Sequence, residues 1–149
     1  MQGAKLLPPV YFLGALALTA LLHYILPLAP VIPAPWHFGG LVLIAMGLFL
    51  IVAPARTFHS RDTAIKPFEK SSVLVQDGLF AVSRNPMYLG MVLVVLGVAL
   101  LLRGAVPFVV PVALAVVLYV RFIRFEEQAL EQTFGDDYRA YKARVRRWL

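Results

Sequence analysis

The apolar positions of this chain fall into long unbroken runs rather than the half-buried stripes of a soluble helix or strand. Between Lys5 and Arg56 there is no Asp, Glu, Lys or Arg, and such a stretch can cross a hydrocarbon core of ~30 Å twice at roughly 20 residues per pass. The pattern predicts a first span over Pro8 to Leu28 and a second over Trp36 to Ala53. Pro27, Pro30, Pro33 and Pro35 break helix geometry between them by fixing φ and removing donors. A polar segment, Ala55 to Ser83, follows. The third predicted span, Pro86 to Leu102, is about 26 Å long at ~1.5 Å per residue, short enough that Arg103 is available to snorkel from its end. The fourth starts near Ala105, after a turn at Arg103 and Gly104, and continues to about Thr133. From Gly135 onward Tyr138, Tyr141, Val145 and Trp148 share one face of a basic amphipathic helix, a pattern that lies on anionic leaflets. The expected fold is therefore an all-α integral membrane protein with four transmembrane helices, the third and fourth forming a tight hairpin, plus a C-terminal amphipathic interfacial helix. Residues 1–149 read as a single membrane domain, with loop 55–85 and segment 124–149 capping one end.

Composition agrees: 60% of residues are hydrophobic and only 15% charged, too apolar for an ordinary soluble domain. The net charge of +6 does not point to nucleic acid, because the basic residues flank apolar segments instead of forming a basic domain with interleaved aromatics. Arg56, Arg61, Lys66, Lys70 and Arg84 lie in the middle segment and seven more lie from Arg121 to the end, whereas the other connections carry none and one. The positive-inside rule then places the middle loop and both termini in the cytoplasm. With no cysteine, disulfides, thiolate metal sites and a cysteine nucleophile are excluded. His23, His37 and His59 lack metal-ligand spacing, so no metal is expected.

Three polar segments converge on the cytoplasmic end under this topology, so any chemistry belongs there. Asn85 and Pro86 read as the N-cap and first residue of the third helix. Its free N–H groups, with Arg84 beside them, make an anion site at the membrane edge, suited to a carboxylate or phosphate. At 100° per residue, Glu126 falls at the centre of a stripe of Tyr119, Phe122, Ile123, Ala129, Leu130 and Thr133, and so points inward. A buried carboxylate needs a partner, and a salt bridge to Arg84 or another loop cation serves as well as a ligand. Glu127 falls on the flank of the stripe, where solvent suffices. Arg61, Thr63 and Lys66 are candidates for gripping an anionic head group, and Tyr138 and Tyr141 for covering a pocket. Gly90 and Gly97, seven apart on one face, mark close helix packing, with a cofactor contact open at Gly90.

The run Leu74-Val75-Gln76-Asp77-Gly78-Leu79-Phe80, then Ser83-Arg84-Asn85-Pro86-Met87-Tyr88-Leu89-Gly90, then Glu126-Glu127, Phe134-Gly135, Tyr138 and Tyr141 resembles the isoprenylcysteine carboxyl methyltransferase and phospholipid methyltransferase superfamily over about the C-terminal 90 residues. The resemblance implies a membrane methyltransferase with an S-adenosylmethionine pocket at the cytoplasmic helix ends. By position it nominates Arg84, Asn85, Pro86, Tyr88, Gly90, Glu126 and Glu127 for the cofactor, with Gly78 and Leu79 as backbone contributors. Arg84 and Glu126 are the candidates for any catalytic part. Asn85 stands where eukaryotic isoprenylcysteine enzymes usually carry His, and no proline follows Val145. Both departures resemble prokaryotic relatives, which implies a bacterial or archaeal inner membrane and a lipidic or small acceptor that is a carboxylate, amine or thiol. The rival expectation is a noncatalytic membrane protein, such as a transporter subunit or assembly factor, in which Arg84 and Glu126 are structural.

Overall fold

A computed structural model describes residues 7–60 and 73–149 of the chain. All regular structure among them is helical. Helix α1, Pro8–Ile25, opens with proline in its first turn, where the missing N–H costs nothing. It ends before Pro27, as expected where a proline disfavours helical geometry in the residue ahead of it. Helix α2, Gly39–Ser60, is entered through a 3-10 turn at Trp36–Phe38. It runs beyond the expected end at Ala53, because Pro54 removes only one ladder bond and the helix carries on past it. Helix α3 is Pro86–Leu102. After a 3-10 turn at Val106–Phe108, helix α4, Val109–Leu118, passes through a π-helical turn, Tyr119–Ile123, into helix α5, Arg124–Phe134. Helix α6 is Asp136–Arg144.

Pro8–Ile25, Trp36–Arg56 and Val106–Phe134 are each long and apolar enough to cross a membrane, while α3, at 17 residues, is shorter. Their outer faces carry exposed Leu13, Leu21, Phe49, Val112 and Val116. Leaving that surface in water forfeits the hydrophobic contribution, whereas lipid accepts it. The protein is an all-α integral membrane protein.

Helix α3 is held by backbone contact. Gly40 and Gly47 of α2 face Gly97 and Gly90 of α3, and a Cβ added at Gly47 would lie 2.6 Å from the Gly90 carbonyl oxygen. The reciprocal Cβ at Gly97 would lie 2.6 Å from the Gly40 oxygen. Two glycine pairs, each seven residues apart, thus let antiparallel helices touch main chain to main chain, where dispersion and Cα–H···O contacts replace side-chain packing. On the other flank α3 packs with α1 and α4 around Ala15, Met91, Val95, Leu114 and Leu118. Thr19, fully buried there, satisfies its hydroxyl on the Ala15 carbonyl at 2.8 Å.

The two remaining connections show how ends are tied. Arg103 adopts φ 66° after α3, its carbonyl accepts from the Val31 N–H at 2.9 Å, and its Nε donates to the Ile32 carbonyl at 2.8 Å. Its side chain thus staples the proline-rich turn rather than snorkelling. Gly135, at φ 54°, lets α6 fold back from α5, and Tyr138, Tyr141 and Val145 bury against Leu74, Leu130 and Phe134. The expected interfacial helix is corrected accordingly: α6 forms, but its apolar face is spent inside the protein, with Tyr138 only 1% exposed.

Candidate functional site

The start of α3, the overhang of α5 and the C-terminal tail meet at one end of the bundle. Val106–Phe134, 29 residues long, spans roughly 43 Å at 1.5 Å per residue and so outreaches a ~30 Å hydrocarbon core by about two turns. Its last turns carry Glu126 and Glu127 down to Arg84 and Tyr88.

The tail is laid against the α3 start by main-chain and side-chain bonds. Arg84 N–H donates to the Arg146 carbonyl at 3.0 Å, and Asn85 Nδ2 donates to the Arg147 carbonyl at 3.0 Å. Asn85 occupies the N-cap position, but its side chain does not cap the helix; it is committed to the tail. Ser83 Oγ supports the Asn85 N–H instead, at 3.2 Å. The N–H groups of the first α3 turn therefore keep their partial positive charge without a side-chain cap.

The two glutamates exchange the roles expected of them. Glu127 is buried, and Arg147 clamps it with Nε to Oε1 at 3.0 Å and Nη2 to Oε2 at 2.9 Å. Arg84 Nη2 also approaches Oε1, at 3.3 Å, with side-chain exposures of only 8% for Arg84 and 10% for Glu127. Glu126 is half-buried and accepts the Tyr88 hydroxyl on Oε1 at 2.5 Å. So Arg84 pairs with Glu127 rather than Glu126, and Glu127 is not solvated. The cause is the π turn: one additional residue per turn over Tyr119–Ile123 advances the helical phase by about 100°, so a regular 3.6-residue wheel drawn through it misplaces everything beyond.

Two guanidiniums bear on the Glu127 carboxylate beside an uncapped helix N-terminus, while the Glu126 carboxylate is taken by Tyr88. Arg84 Nε and Nη1 are buried and have no hydrogen-bond partner among the described residues. Such groups are costly to leave unsatisfied, and they belong to the residue immediately ahead of the α3 N-cap, Asn85. On the core side of this end Tyr88 and Phe122 lie with ring centroids 6.3 Å apart and nearly parallel, with Tyr11 edge-on to Phe122 at 5.5 Å. Arg147 also lies over the Tyr119 ring at 4.9 Å, and its hydrogen bonds to Glu127 raise its pKa further above the ordinary guanidinium value.

Tyr138 and Tyr141 close the outer side. Burial pushes the Tyr138 phenol above its usual range, the Glu127 charge adds to this and Arg84 opposes it, so its hydroxyl lies in the field of the ion cluster. Tyr141 donates to the Phe80 carbonyl at 2.7 Å, and burial pushes its pKa up to about 12 against the opposing field of Arg84. That bond fixes the 3-10 turn Gly78–Ala81, which begins at φ 59° on Gly78 and holds Leu79 half-buried. A cleft of about 460 Å³ opens between this turn and α6, lined by Gln76, Asp77, Ala81, Tyr141 and Arg144.

Of the residues nominated from sequence, Arg84, Asn85, Pro86, Tyr88, Glu126, Glu127, Tyr138 and Tyr141 come together at this end, with Gly78 and Leu79 on the adjoining turn. Gly90 lies one turn further along α3, with its Cα against Gly47 of α2. Arg61, Thr63 and Lys66 lie outside the described residues. No cluster of three potential metal ligands exists among the described residues. The residue missed from sequence is Arg147. An arginine in a basic tail carries no local signal; only the demand of a buried carboxylate for a bidentate partner could have pointed to it.

The bundle and its buried ion cluster define an all-α membrane protein with a polar, anion-seeking site at its helix ends. The sequence profile of the phospholipid methyltransferase family matches residues 35–137, and the chain belongs to that family. It is 31% identical over 108 residues to the protein-S-isoprenylcysteine O-methyltransferase of Saccharomyces cerevisiae, covering 71% of this chain and 45% of that protein. Over 63 residues it is 40% identical to an uncharacterized protein of Haemophilus influenzae, 42% of this chain and all of that one. The fold matches the eukaryotic intramembrane Ras methyltransferase, isoprenylcysteine carboxyl methyltransferase, with a TM-score of 0.67 and 25% identity, over 92% of this chain and 50% of that one. The chain thus spans about half the length of the two methyltransferases it resembles. It is a membrane protein of the phospholipid methyltransferase family.

Proposed function

We propose that the protein transfers the methyl group of S-adenosylmethionine to a lipidic or small acceptor, a carboxylate, amine or thiol, at the cytoplasmic membrane face. One observation carries the reading: Arg84 holds two buried, unpartnered nitrogens, Nε and Nη1, beside the uncapped start of α3. That combination fits a carboxylate, which accepts from guanidinium and backbone donors together. The residues present therefore fit the amino-acid half of the cofactor. Arg84, the α3 N–H groups and the Glu126 carboxylate would hold it. The cleft beside Gly78 and Leu79, with a volume inside the range of small-ligand sites, would take the nucleoside half.

When bound, S-adenosylmethionine supplies an electrophilic methyl group on a positively charged sulfur. The protein's part is alignment and the exclusion of water. Tyr88 and Phe122 wall the site with parallel rings, and the Tyr88 hydroxyl fixes the Glu126 carboxylate at 2.5 Å. Glu127, with both oxygens bound by guanidiniums, is occupied by Arg147 and by one nitrogen of Arg84 rather than by a ligand. The distribution of Lys and Arg supports cytoplasmic ends.

The test is titration of the detergent-purified protein with S-adenosylmethionine by calorimetry. Binding to the wild type is expected, weakened about tenfold or more by Glu126→Gln, the loss of one charge-assisted hydrogen bond. A flat wild-type titration would leave Arg84, Glu127 and Arg147 as a structural lock in a noncatalytic membrane protein.

A further inference from the structure

The buried cluster holds more guanidinium than its carboxylate needs, and the surplus is unevenly divided. Arg147 meets Glu127 through two nitrogens, at 3.0 and 2.9 Å, while Arg84 approaches through Nη2 alone at 3.3 Å. The buried nitrogens of this cluster that lack a partner, Nε and Nη1, are both on Arg84. Arg147 has no comparable surplus: its remaining face lies over the Tyr119 ring, and its carbonyl is held by Asn85 and, at 3.4 Å, by Ser83.

From this division of labour we infer that Arg147 is a positioning residue. By saturating Glu127 it keeps Arg84 from closing onto that carboxylate, and so keeps Arg84 Nε and Nη1 free for the anionic end of the ligand. The inference rests on the cofactor reading above and adds the element that makes it work. A carboxylate only 10% exposed cannot be left half-satisfied. With Arg147 gone, Arg84 is the cation already in contact with it, and a guanidinium beside a carboxylate turns to present two parallel N–H groups. That rotation would spend on Glu127 the donors that the α3 N-terminus otherwise shares with a ligand. The C-terminal tail is thereby part of the site: Arg146 and Arg147 pair through their carbonyls with Arg84 and Asn85, and Trp148 packs onto the bundle core.

The experiment is calorimetric titration of the full chain with S-adenosylhomocysteine, which carries the same carboxylate and needs no acceptor. Arg147→Gln should weaken binding about tenfold, the value of one charge-assisted hydrogen bond. Arg147→Lys, which keeps the charge without the fork, should fall between. The deciding variant is Glu127→Gln combined with Arg147→Gln: with no carboxylate left to capture Arg84, affinity should recover most of the loss. A purely packing role for Arg147 predicts losses that add. Wild-type affinity in Arg147→Gln, or a double variant no better than the single one, would overturn the inference while leaving the cofactor reading standing. A wild type that binds neither S-adenosylmethionine nor its product would overturn the cofactor reading, and this inference with it. Should Arg147→Gln fail to fold, the lysine variant and the double variant decide.

Discussion

Replacing Gly47 by alanine separates helix packing from ligand contact at the α2–α3 interface. A Cβ there would sit 2.6 Å from the Gly90 oxygen, 2.7 Å from Val94 Cγ2 and 2.9 Å from the Val94 backbone nitrogen. Two of those three atoms are main chain and cannot rotate away. Restoring an ordinary carbon–oxygen contact of about 3.3 Å requires the helices to part by roughly 0.7 Å. Overpacking of this kind costs about 1–3 kcal/mol, and three simultaneous clashes put the value near the upper end. The helix-propensity gain of alanine over glycine offsets about 1 kcal/mol of it. The net loss of about 2 kcal/mol corresponds to a Tm lower by roughly 4–8 °C for a chain of this size. Because Gly90 is only two residues from Tyr88 on α3, displacement of α3 should also loosen the Tyr88–Glu126 pair, and with it cofactor affinity. Intrinsic tryptophan fluorescence during heating in detergent, followed by titration with S-adenosylhomocysteine, measures both. Gly47 lies outside the nominated motif, so Gly47→Ala and Gly90→Ala should behave alike. If Gly90→Ala abolishes binding at unchanged Tm while Gly47→Ala binds and melts as wild type, the packing account of Gly90 is wrong.

Two other outcomes follow from different parts of the molecule. The Tyr141 pKa rises from 10.0 to about 12, so the folded state holds the phenolic proton more tightly than the unfolded chain; its stabilising contribution is complete below pH 10 and is lost as pH climbs through 12. Tm measured across that window should fall more steeply for wild type than for Tyr141→Phe, and equal slopes would refute the burial of the Tyr141 phenol as the cause of its raised pKa. At the far end of the bundle, Arg103→Ala deletes the 2.8 Å bond to Ile32, which should cost about 1 kcal/mol. The same variant should leave S-adenosylhomocysteine affinity at the wild-type value; a matching loss of affinity would mean that the two ends are coupled.

Much of the architecture was legible because lipid imposes long-range uniformity on a sequence. Charge-free runs, prolines at the turns and a helix starting at Pro86 are local signals, and the helices occur where those signals lie. The convergence of Arg84, Tyr88 and the α5 carboxylates was legible from the order of the spans alone. Which glutamate faces which partner was not. Helical phase is read by counting, and the π turn at Tyr119–Ile123 inserts a residue that no pattern in YVRFI announces. The tail misled for a related reason: an amphipathic basic helix looks the same whether its apolar face meets lipid or Leu74, Leu130 and Phe134.

By itself the sequence determined the class of molecule, the helical rods, their turns and the end at which polar chemistry collects, because those depend on hydropathy and local backbone preference. The tertiary structure alone decided that Glu127 is clamped and Glu126 is held by Tyr88, that Asn85 binds the tail instead of capping α3, and that Gly90 meets Gly47. Each of these is a choice between partners of equal chemical suitability. Such choices are settled by which groups the packed bundle brings within 3 Å or so of one another, a distance that hydrogen bonds require and that no linear spacing encodes.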